Sequence, residues 1–167
     1  DYITIASSPT PERNVTIEAW INPDTLSGAD MVYTWGPTTG CNPSRQYLYT
    51  DTGNFLKFAT GCGTTLTSNA ALKLAQWNHV ALTVDSSGNA TMYINGKVES
   101  TTTNTRSSQT VSTGNDIIGA NYSGGVLGSY FDGSIDEVRI SNIARTPEEI
   151  KAAASRRPYS VYTSDVI

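Results

Sequence analysis

The chain has 167 residues and a formal net charge of -4. That length suits a single domain, which can bury roughly 70% of the surface that its unfolded chain exposes. The eleven lysine and arginine residues are scattered along the sequence, so neither nucleic acid nor an anionic membrane surface is expected as a partner. No stretch approaches the roughly 20 apolar residues of a membrane span, and no membrane insertion is expected.

Apolar and polar residues alternate from the start of the chain, which is typical of half-buried antiparallel strands. Asp1–Ile5 already has this alternation and predicts a strand. In Val15–Ile21 the odd-numbered residues are apolar and share one face, and Asn22-Pro23-Asp24 ends the strand. Each of these segments is expected to bury one side and to leave the other more polar.

The clearest hairpins are predicted in the middle of the chain. Trp77–Val84 forms one strand, Asp85–Asn89 has the composition of a turn, and Ala90–Ile94 returns. Asn95-Gly96 follows directly and is the strongest short signal for a type I′ turn, so Lys97–Ser100 is predicted as the next strand.

Five more strands are predicted between clusters of glycine, asparagine and proline. They are Met31–Trp35, Gln46–Thr50, Phe55–Thr60, Asp116–Ala120 and Tyr130–Ser141. A total of about ten to twelve short strands with few helices favours an all-β fold, a two-sheet antiparallel β-sandwich or jelly roll.

One short helix is predicted near the carboxyl terminus. Thr146 can act as its N-cap, Pro147 takes the first helical position, and Glu148 and Glu149 interact favourably with the helix dipole. The helix is expected to run to about Ser155, so residues 1–155 are interpreted as one β-sandwich domain. Residues 156–167 are interpreted as a linker or an additional edge strand.

Two cysteines, Cys41 and Cys62, lie in polar segments rich in glycine, threonine and asparagine. Buried free cysteines usually have apolar neighbours, so these two are predicted to form a disulfide between two loops. A disulfide implies an oxidising compartment. Two cysteines and one histidine are too few for a zinc site.

Three segments, in this order, carry a family resemblance. They are Val15–Pro23, then Trp77–Val84 running on to Met92–Lys97, and finally Phe131–Ser141 followed by the short helix. Together they resemble the laminin-G-like, concanavalin A-like lectin and glucanase superfamily, in the form called the LamG-like jelly roll. The resemblance implies two antiparallel sheets in a secreted or surface-displayed protein that binds glycans or other proteins. It does not specify the ligand.

The resemblance also implies a structural Ca²⁺ ion, held by carboxylates and backbone carbonyls between the amino-terminal loop and a late strand. The matching positions are Asp1 and Asp136, with Asp132 in the turn before that strand. Such hard oxygen donors suit Ca²⁺. The alternative is that Asp136 binds backbone amides and that Asp132 only forms a turn.

The pattern of carboxylates argues against an enzyme. Related glucanases place carboxylates at alternate positions of one strand, where they act as nucleophile and acid/base. Here Asp136 and Glu137 are adjacent and are expected on opposite faces, and Val138 and Ile140 have no carboxylate. The single histidine, His79, has no nearby nucleophile in the sequence and is interpreted as a structural strand residue.

Aromatic residues near loops are the candidates for ligand binding, because sugar C–H surfaces pack on rings while amides and charged groups bind hydroxyls. The aromatic candidates are Trp35, Tyr47, Tyr49 and Tyr122, and the polar candidates are Asn42, Arg45 and Asn121. The other two tryptophans, Trp20 and Trp77, are assigned to packing.

The function predicted from these observations is noncatalytic extracellular recognition of a carbohydrate or a cell-surface protein, by one module of a larger secreted protein. The alternative is a structural or assembly role, in which terminal edge strands pair with another copy. A glucanase-like hydrolase is the third and least favoured hypothesis.

Overall fold

The computed structural model describes residues 1–7, 10–37, 45–61, 65–103, 114–123 and 125–156. These residues contain thirteen strands and one helix. The strands are β1 (Ile3–Ile5), β2 (Val15–Pro23), β3 (Asp30–Trp35), β4 (Gln46–Thr50), β5 (Phe55–Thr60), β6 (Thr65–Ala71), β7 (Asn78–Val84), β8 (Ala90–Ile94), β9 (Lys97–Thr102), β10 (Asp116–Ile118), β11 (Asn121–Ser123), β12 (Val126–Gly128) and β13 (Gly133–Ser141), and the helix is α1 (Pro147–Ala154).

Two large antiparallel sheets account for eleven of these strands. The six-stranded sheet has the order β1-β10-β3-β4-β5-β6, and the five-stranded sheet has the order β13-β2-β7-β8-β9. Strands β11 and β12 form a separate hairpin. The predicted all-β, two-sheet antiparallel sandwich with one short terminal helix is therefore confirmed.

The core lies between the two sheets and follows from the alternation in the sequence. In β2 the four predicted inward residues, Val15, Ile17, Ala19 and Ile21, are almost completely buried and belong to the main apolar cluster. Leu48 of β4 faces them from the other sheet, within the same cluster. The side of each sheet that faces away from the core carries other features: α1 packs there on the five-stranded sheet, and the candidate site lies there on the six-stranded sheet.

The Asn95-Gly96 turn has the predicted conformation, because both residues have positive φ values of 51° and 76°. Glycine is also required here by close packing. A Cβ atom on Gly96 would lie 2.9 Å from the Cα atom of Lys151 in α1. The turn between β8 and β9 is thus part of the surface on which α1 rests.

Strand β13 differs from the strict alternation that the sequence predicts. Its register against β2 shifts between Asp136 and Arg139, and Glu137 has a φ of 47°. As a result, Val138 packs against the core, as Ile135 does on the other side of the shift. Asp136 and Glu137 were expected on opposite faces, but this bulge leaves both of them exposed.

Helix α1 begins as predicted. The Thr146 hydroxyl accepts a hydrogen bond from the amide of Glu149, and the Glu149 side chain accepts one from the amide of Thr146, which forms a capping box. Ile150 is fully buried against Ala81 and Tyr93 of the five-stranded sheet. Of the predicted tail, residues 156–167, only Arg156 is described, and it follows the C-cap Ser155. Residues 157–167 lie outside the described residues.

Some elements were not predicted from the sequence. Strand β6 and the β11–β12 hairpin were missed, and Trp77, which was assigned to packing, is 40% exposed and precedes β7. Trp20 is buried as predicted. Within the described part of the chain, no helix has the length and apolar character needed to cross a membrane.

Candidate functional site

The outer side of the six-stranded sheet carries most of the predicted ligand-binding residues. In β4, Leu48 points into the core, so Tyr47 and Tyr49 point outward, where both are half-buried. Tyr49 is opposite Lys57 of β5, and Lys57 is opposite Thr67 of β6. We call this surface, formed by Tyr47, Tyr49, Lys57 and Thr67, the outer face.

The β11–β12 hairpin flanks the outer face. After β10 the chain turns back over β3, where the hydroxyl of Thr34 donates a hydrogen bond of 3.0 Å to the carbonyl oxygen of Ala120. Thr34 is also the strand neighbour of Tyr47. The hairpin residues Asn121 and Tyr122 therefore lie next to the tyrosines of β4 although they are more than 70 residues away in the sequence.

Arg45 joins the hairpin to the sheet. Its guanidinium group donates hydrogen bonds to the side-chain oxygen of Asn121 and to the carbonyl oxygen of Tyr122. A third hydrogen bond, of 3.1 Å, goes to the carbonyl oxygen of Pro37. The same guanidinium lies 5.3 Å from the centre of the Tyr47 ring, a cation–π contact. Arg45 thus fixes Tyr47, Asn121 and Tyr122 relative to one another.

Burial shifts the titration of both partners in this contact. Burial lowers the pKa of Arg45, and Tyr47 partly opposes that change. Burial also raises the pKa of Tyr47, and the nearby Arg45 charge partly opposes that change. At neutral pH the arginine is charged and the phenol keeps its proton, so both present hydrogen-bond donors.

Lys57 was not predicted as a site residue, although the sequence contains a signal for it. Lys57 lies between two apolar residues, Leu56 and Phe58. Since side chains alternate between the two sides of a strand, apolar residues at these positions predict that Lys57 faces outward. Its ammonium group lies 2.9 Å from a carboxylate oxygen of Asp51. This ion pair lowers the pKa of Asp51, despite the opposing effect of burial, and raises that of Lys57.

Four of the seven predicted ligand residues are brought into direct contact, namely Arg45, Tyr47, Asn121 and Tyr122, and Tyr49 lies on the same face. The prediction that Trp35 binds a ligand is wrong. Its ring is fully buried in the core and stacks on Phe58, with centroids 6.1 Å apart. It therefore has no ring face for a ligand. Asn42 lies outside the described residues.

The three aspartates predicted to bind calcium are not brought together. Asp1 lines a cavity of about 340 Å³ between β1 and β13, along with Ile135 but not Asp136. Asp132 instead accepts a hydrogen bond from the Thr25 hydroxyl. The described residues contain no group of three or more histidine, cysteine, aspartate or glutamate side chains that could hold a metal ion. The three carboxylates therefore do not form a metal-binding group by themselves, and the calcium site, which was also predicted to use backbone carbonyls, stays a prediction.

Cys41 and Cys62, the predicted disulfide partners, lie outside the described residues. That pairing stays a prediction, and so does the oxidising compartment that it implies.

His79 is a buried strand residue next to a buried charged pair. The Glu18 carboxylate accepts a hydrogen bond from Arg145, and His79 Nε2 lies 3.6 Å from Glu18 Oε1, longer than a hydrogen bond. The ring of Trp20 packs edge-on against His79 at 5.3 Å. This cluster lies on the outer side of the five-stranded sheet, in a small cavity that α1 borders through Ala153.

Comparisons with solved structures agree with the fold. The CBM40 domain of the Ruminococcus gnavus IT-sialidase, solved with α2,3-sialyllactose, is similar with a TM-score of 0.74 and 15% identity, over 91% of this chain and 98% of that one. Domain 4 of a GH43 extracellular arabinanase from Geobacillus stearothermophilus, solved with arabinotriose, gives a TM-score of 0.67 and 22% identity, over 92% and 72%.

A third similar structure is a heptameric SAP-like pentraxin from Limulus polyphemus, with a TM-score of 0.72, 17% identity and coverage of 92% and 75%. No curated protein matches the chain in sequence. The family model Laminin_G_3, of the concanavalin A-like lectin/glucanases superfamily, matches residues 1–151. With that match across nearly the whole sandwich, the chain belongs to the concanavalin A-like lectin/glucanases superfamily.

Proposed function

We propose that the chain is a noncatalytic carbohydrate-recognition module whose binding site is the outer face beside the β11–β12 hairpin. The observation that carries this proposal is the contact between Arg45, Tyr47 and Asn121, with Tyr49 on the same surface. Tyrosine rings provide apolar area for sugar C–H groups, and the amide and hydroxyl groups next to them can bind sugar hydroxyls. A rigid arrangement of this kind lowers the entropy cost of binding.

Two similar folds support the choice of ligand class. The Ruminococcus gnavus domain was solved with a sialylated sugar and the Geobacillus stearothermophilus domain with arabinotriose. A noncatalytic role is supported by the composition of β4, β5 and β6, which contain no aspartate or glutamate. Glycoside hydrolysis usually needs two carboxylates across the scissile bond.

The proposal places the module outside the cell, as part of a larger secreted protein in which it attaches its neighbours to a glycan or to a glycan-bearing cell surface. A disulfide between Cys41 and Cys62 is part of this proposal, because such bonds persist in oxidising compartments. Mass spectrometry of the unreduced protein, digested between the two cysteines, would detect the cross-linked peptide. Two free thiols would contradict the expected bond.

The tyrosines of β4 are expected to dominate binding. Tyr47→Ala and Tyr49→Ala should each lower the affinity for the best ligand from a glycan array about tenfold or more, because each removes a ring that a sugar can pack against. Isothermal titration calorimetry measures the change. Tyr47→Phe keeps the ring and should retain most of the affinity.

Tyr130→Ala is the matched control for these variants. Tyr130 is 46% exposed, and its ring lies beside that of Tyr2, just before the edge strand β1, with centroids 6.2 Å apart. Its removal should leave the dissociation constant unchanged within about twofold, since it touches no residue of the outer face that we assign to binding. Two results would contradict the assignment of the binding site to the outer face. One is an equal loss of affinity in Tyr47→Ala and Tyr130→Ala, and the other is unchanged affinity in both Tyr47→Ala and Tyr49→Ala.

A second candidate function, self-association through β1, is favoured by one observation. β1 is an edge strand of the six-stranded sheet, and Ile3 within it is 60% exposed. An exposed apolar edge strand can pair with the same strand of another copy. On this proposal the module serves as an assembly unit of a surface protein.

The oligomeric state distinguishes the two candidates. If β1 pairs with its copy, the wild-type protein should sediment as a dimer at high concentration and Ile3→Lys should sediment as a monomer. Val98→Lys, in the edge strand β9 of the other sheet with 51% exposure, should leave the dimer intact. A wild-type protein that stays monomeric at all concentrations would exclude the assembly function.

A further inference from the structure

The outer face combines a buried positive charge with outward-facing hydrogen-bond donors. We infer that the carbohydrate recognised there is acidic and carries a carboxylate or sulfate group next to Asn121 and Tyr47. This inference rests on the proposed function and specifies its ligand class.

Among the described residues, the charge of Arg45 has no carboxylate partner. Arg45 is only 2% exposed, and the atoms that accept its hydrogen bonds belong to uncharged groups. The ion pairs among the described residues do not include it, and its Nε atom is buried without a hydrogen-bond partner. Outside the described ranges, the sequence contains one acidic residue, Asp165, near the carboxyl terminus. A guanidinium in this setting attracts an anion, because burial reduces its screening by solvent.

The hydrogen bond to Arg45 also fixes how Asn121 is oriented. Because Arg45 can only donate, it binds the side-chain oxygen of Asn121. The amide nitrogen of Asn121 then keeps two N–H donors, which have no hydrogen-bond partner within the described ranges. The protonated phenol of Tyr47 adds another donor. Donors in this number suit an acceptor-only group such as a carboxylate or a sulfate ester.

The positive charge at the outer face contrasts with the charge of the whole protein. The protein as a whole carries a net charge of -4, and the other cation of the outer face, Lys57, is paired with Asp51. Since β4, β5 and β6 contribute no acidic residue, the excess positive charge on this surface comes from Arg45. An acidic sugar would approach this face of an otherwise acidic protein with favourable electrostatics.

The test uses the wild-type protein and pairs of glycans that differ in charge. A glycan array provides neutral, uronic-acid, sialylated and sulfated sugars, and calorimetry then compares lactose with 3′-sialyllactose and trigalacturonate with its methyl ester. We expect at least one acidic member to bind ten times or more tightly than its neutral partner. If neutral glycans bind as well as or better than their acidic partners, the inference is overturned while the proposed function stands. If no glycan on the array binds, the proposed function fails and the inference fails with it.

Variants of Arg45 test whether it is the positioning residue behind this preference. Arg45→Gln should reduce the ratio of acidic to neutral affinity to about one, and Arg45→Lys should restore part of that ratio because it restores the charge. If Arg45 has a purely structural role, Arg45→Gln should lower the affinities for acidic and neutral sugars by the same factor. That result would overturn the assignment of the preference to Arg45. If Arg45→Gln does not fold, as judged by its unfolding transition, the wild-type comparison and Arg45→Lys still decide the inference.

Discussion

Gly133→Ala is expected to destabilise the sandwich by about 4 kcal/mol. A Cβ atom at this position would lie 2.2 Å from the carbonyl oxygen of Asn22 and 2.8 Å from the Cα atom of Pro23. The clash is with backbone, which cannot move aside as a side chain can. The φ of 141° at Gly133 adds strain for any other residue. Urea-induced unfolding measures the loss as a shift of the midpoint at unchanged slope.

Gly28→Ala is the control for this prediction. A Cβ atom at Gly28 would have no neighbour within 4 Å, so the free energy of unfolding should change by less than about 0.5 kcal/mol. Gly133 begins β13 opposite Pro23 of β2, and these two strands form one edge of the five-stranded sheet. Equal stability of both alanine variants would mean that the two strands are farther apart at Gly133 than in this structure.

Glu18→Gln is the second substitution with a large expected effect, a loss of about 2–3 kcal/mol at pH 7. The Glu18 side chain is only 3% exposed, and it accepts a hydrogen bond from Arg145. Without its charge, Arg145 remains partly buried and has no other ion pair among the described residues. Burial alone would raise the pKa of Glu18, but His79 and Arg145 outweigh burial and lower it below its ordinary value of 4.5.

The sign of this shift sets the pH dependence. A carboxyl group whose pKa is lower in the folded state stabilises the protein fully above its unfolded pKa, here 4.5. That stabilisation is lost as the pH falls from about 5 through the folded pKa. The difference in unfolding free energy between the wild type and Glu18→Gln should therefore shrink on acidification. Glu137→Gln, which removes an exposed carboxyl group of the same cavity, is the control at pH 7 and should change the free energy of unfolding by less than about 0.5 kcal/mol.

Period-two patterning was sufficient to predict the sandwich. In β4 the inward Leu48 is buried and the outward Tyr47 and Tyr49 are half-buried. β2 is buried on both sides, but its inward side is apolar while its outward side carries Thr16 and Glu18, so the alternation is still clear in its sequence. β6 was missed because Thr67 and Asn69 are exposed and polar and Leu66 is its only large apolar residue, which weakens the apolar signal on which strand prediction depends. The bulge at Glu137 was missed for a related reason, since a positive φ at a glutamate has no sequence signature of its own.

The candidate site was predicted in composition but not in geometry. The sequence singled out Arg45, Tyr47, Asn121 and Tyr122 as residues suited to binding sugars. It could not predict that Arg45 reaches residues 76 and 77 positions away, because that contact depends on how the chain returns over β3. Trp35 shows the converse, since a tryptophan next to a loop has the same local pattern whether its ring points outward or into the core.

The orientation of Asn121 has a practical consequence for producing the protein. Asn121 is followed by Tyr122 and Ser123, which is the Asn-x-Ser acceptor pattern for N-linked glycosylation. The nitrogen that a eukaryotic secretory pathway would modify is the one that faces away from Arg45. Material from yeast or mammalian cells would then carry an attached oligosaccharide in front of the proposed binding surface. Bacterial expression, or Ser123→Ala in a eukaryotic host, would keep that surface open.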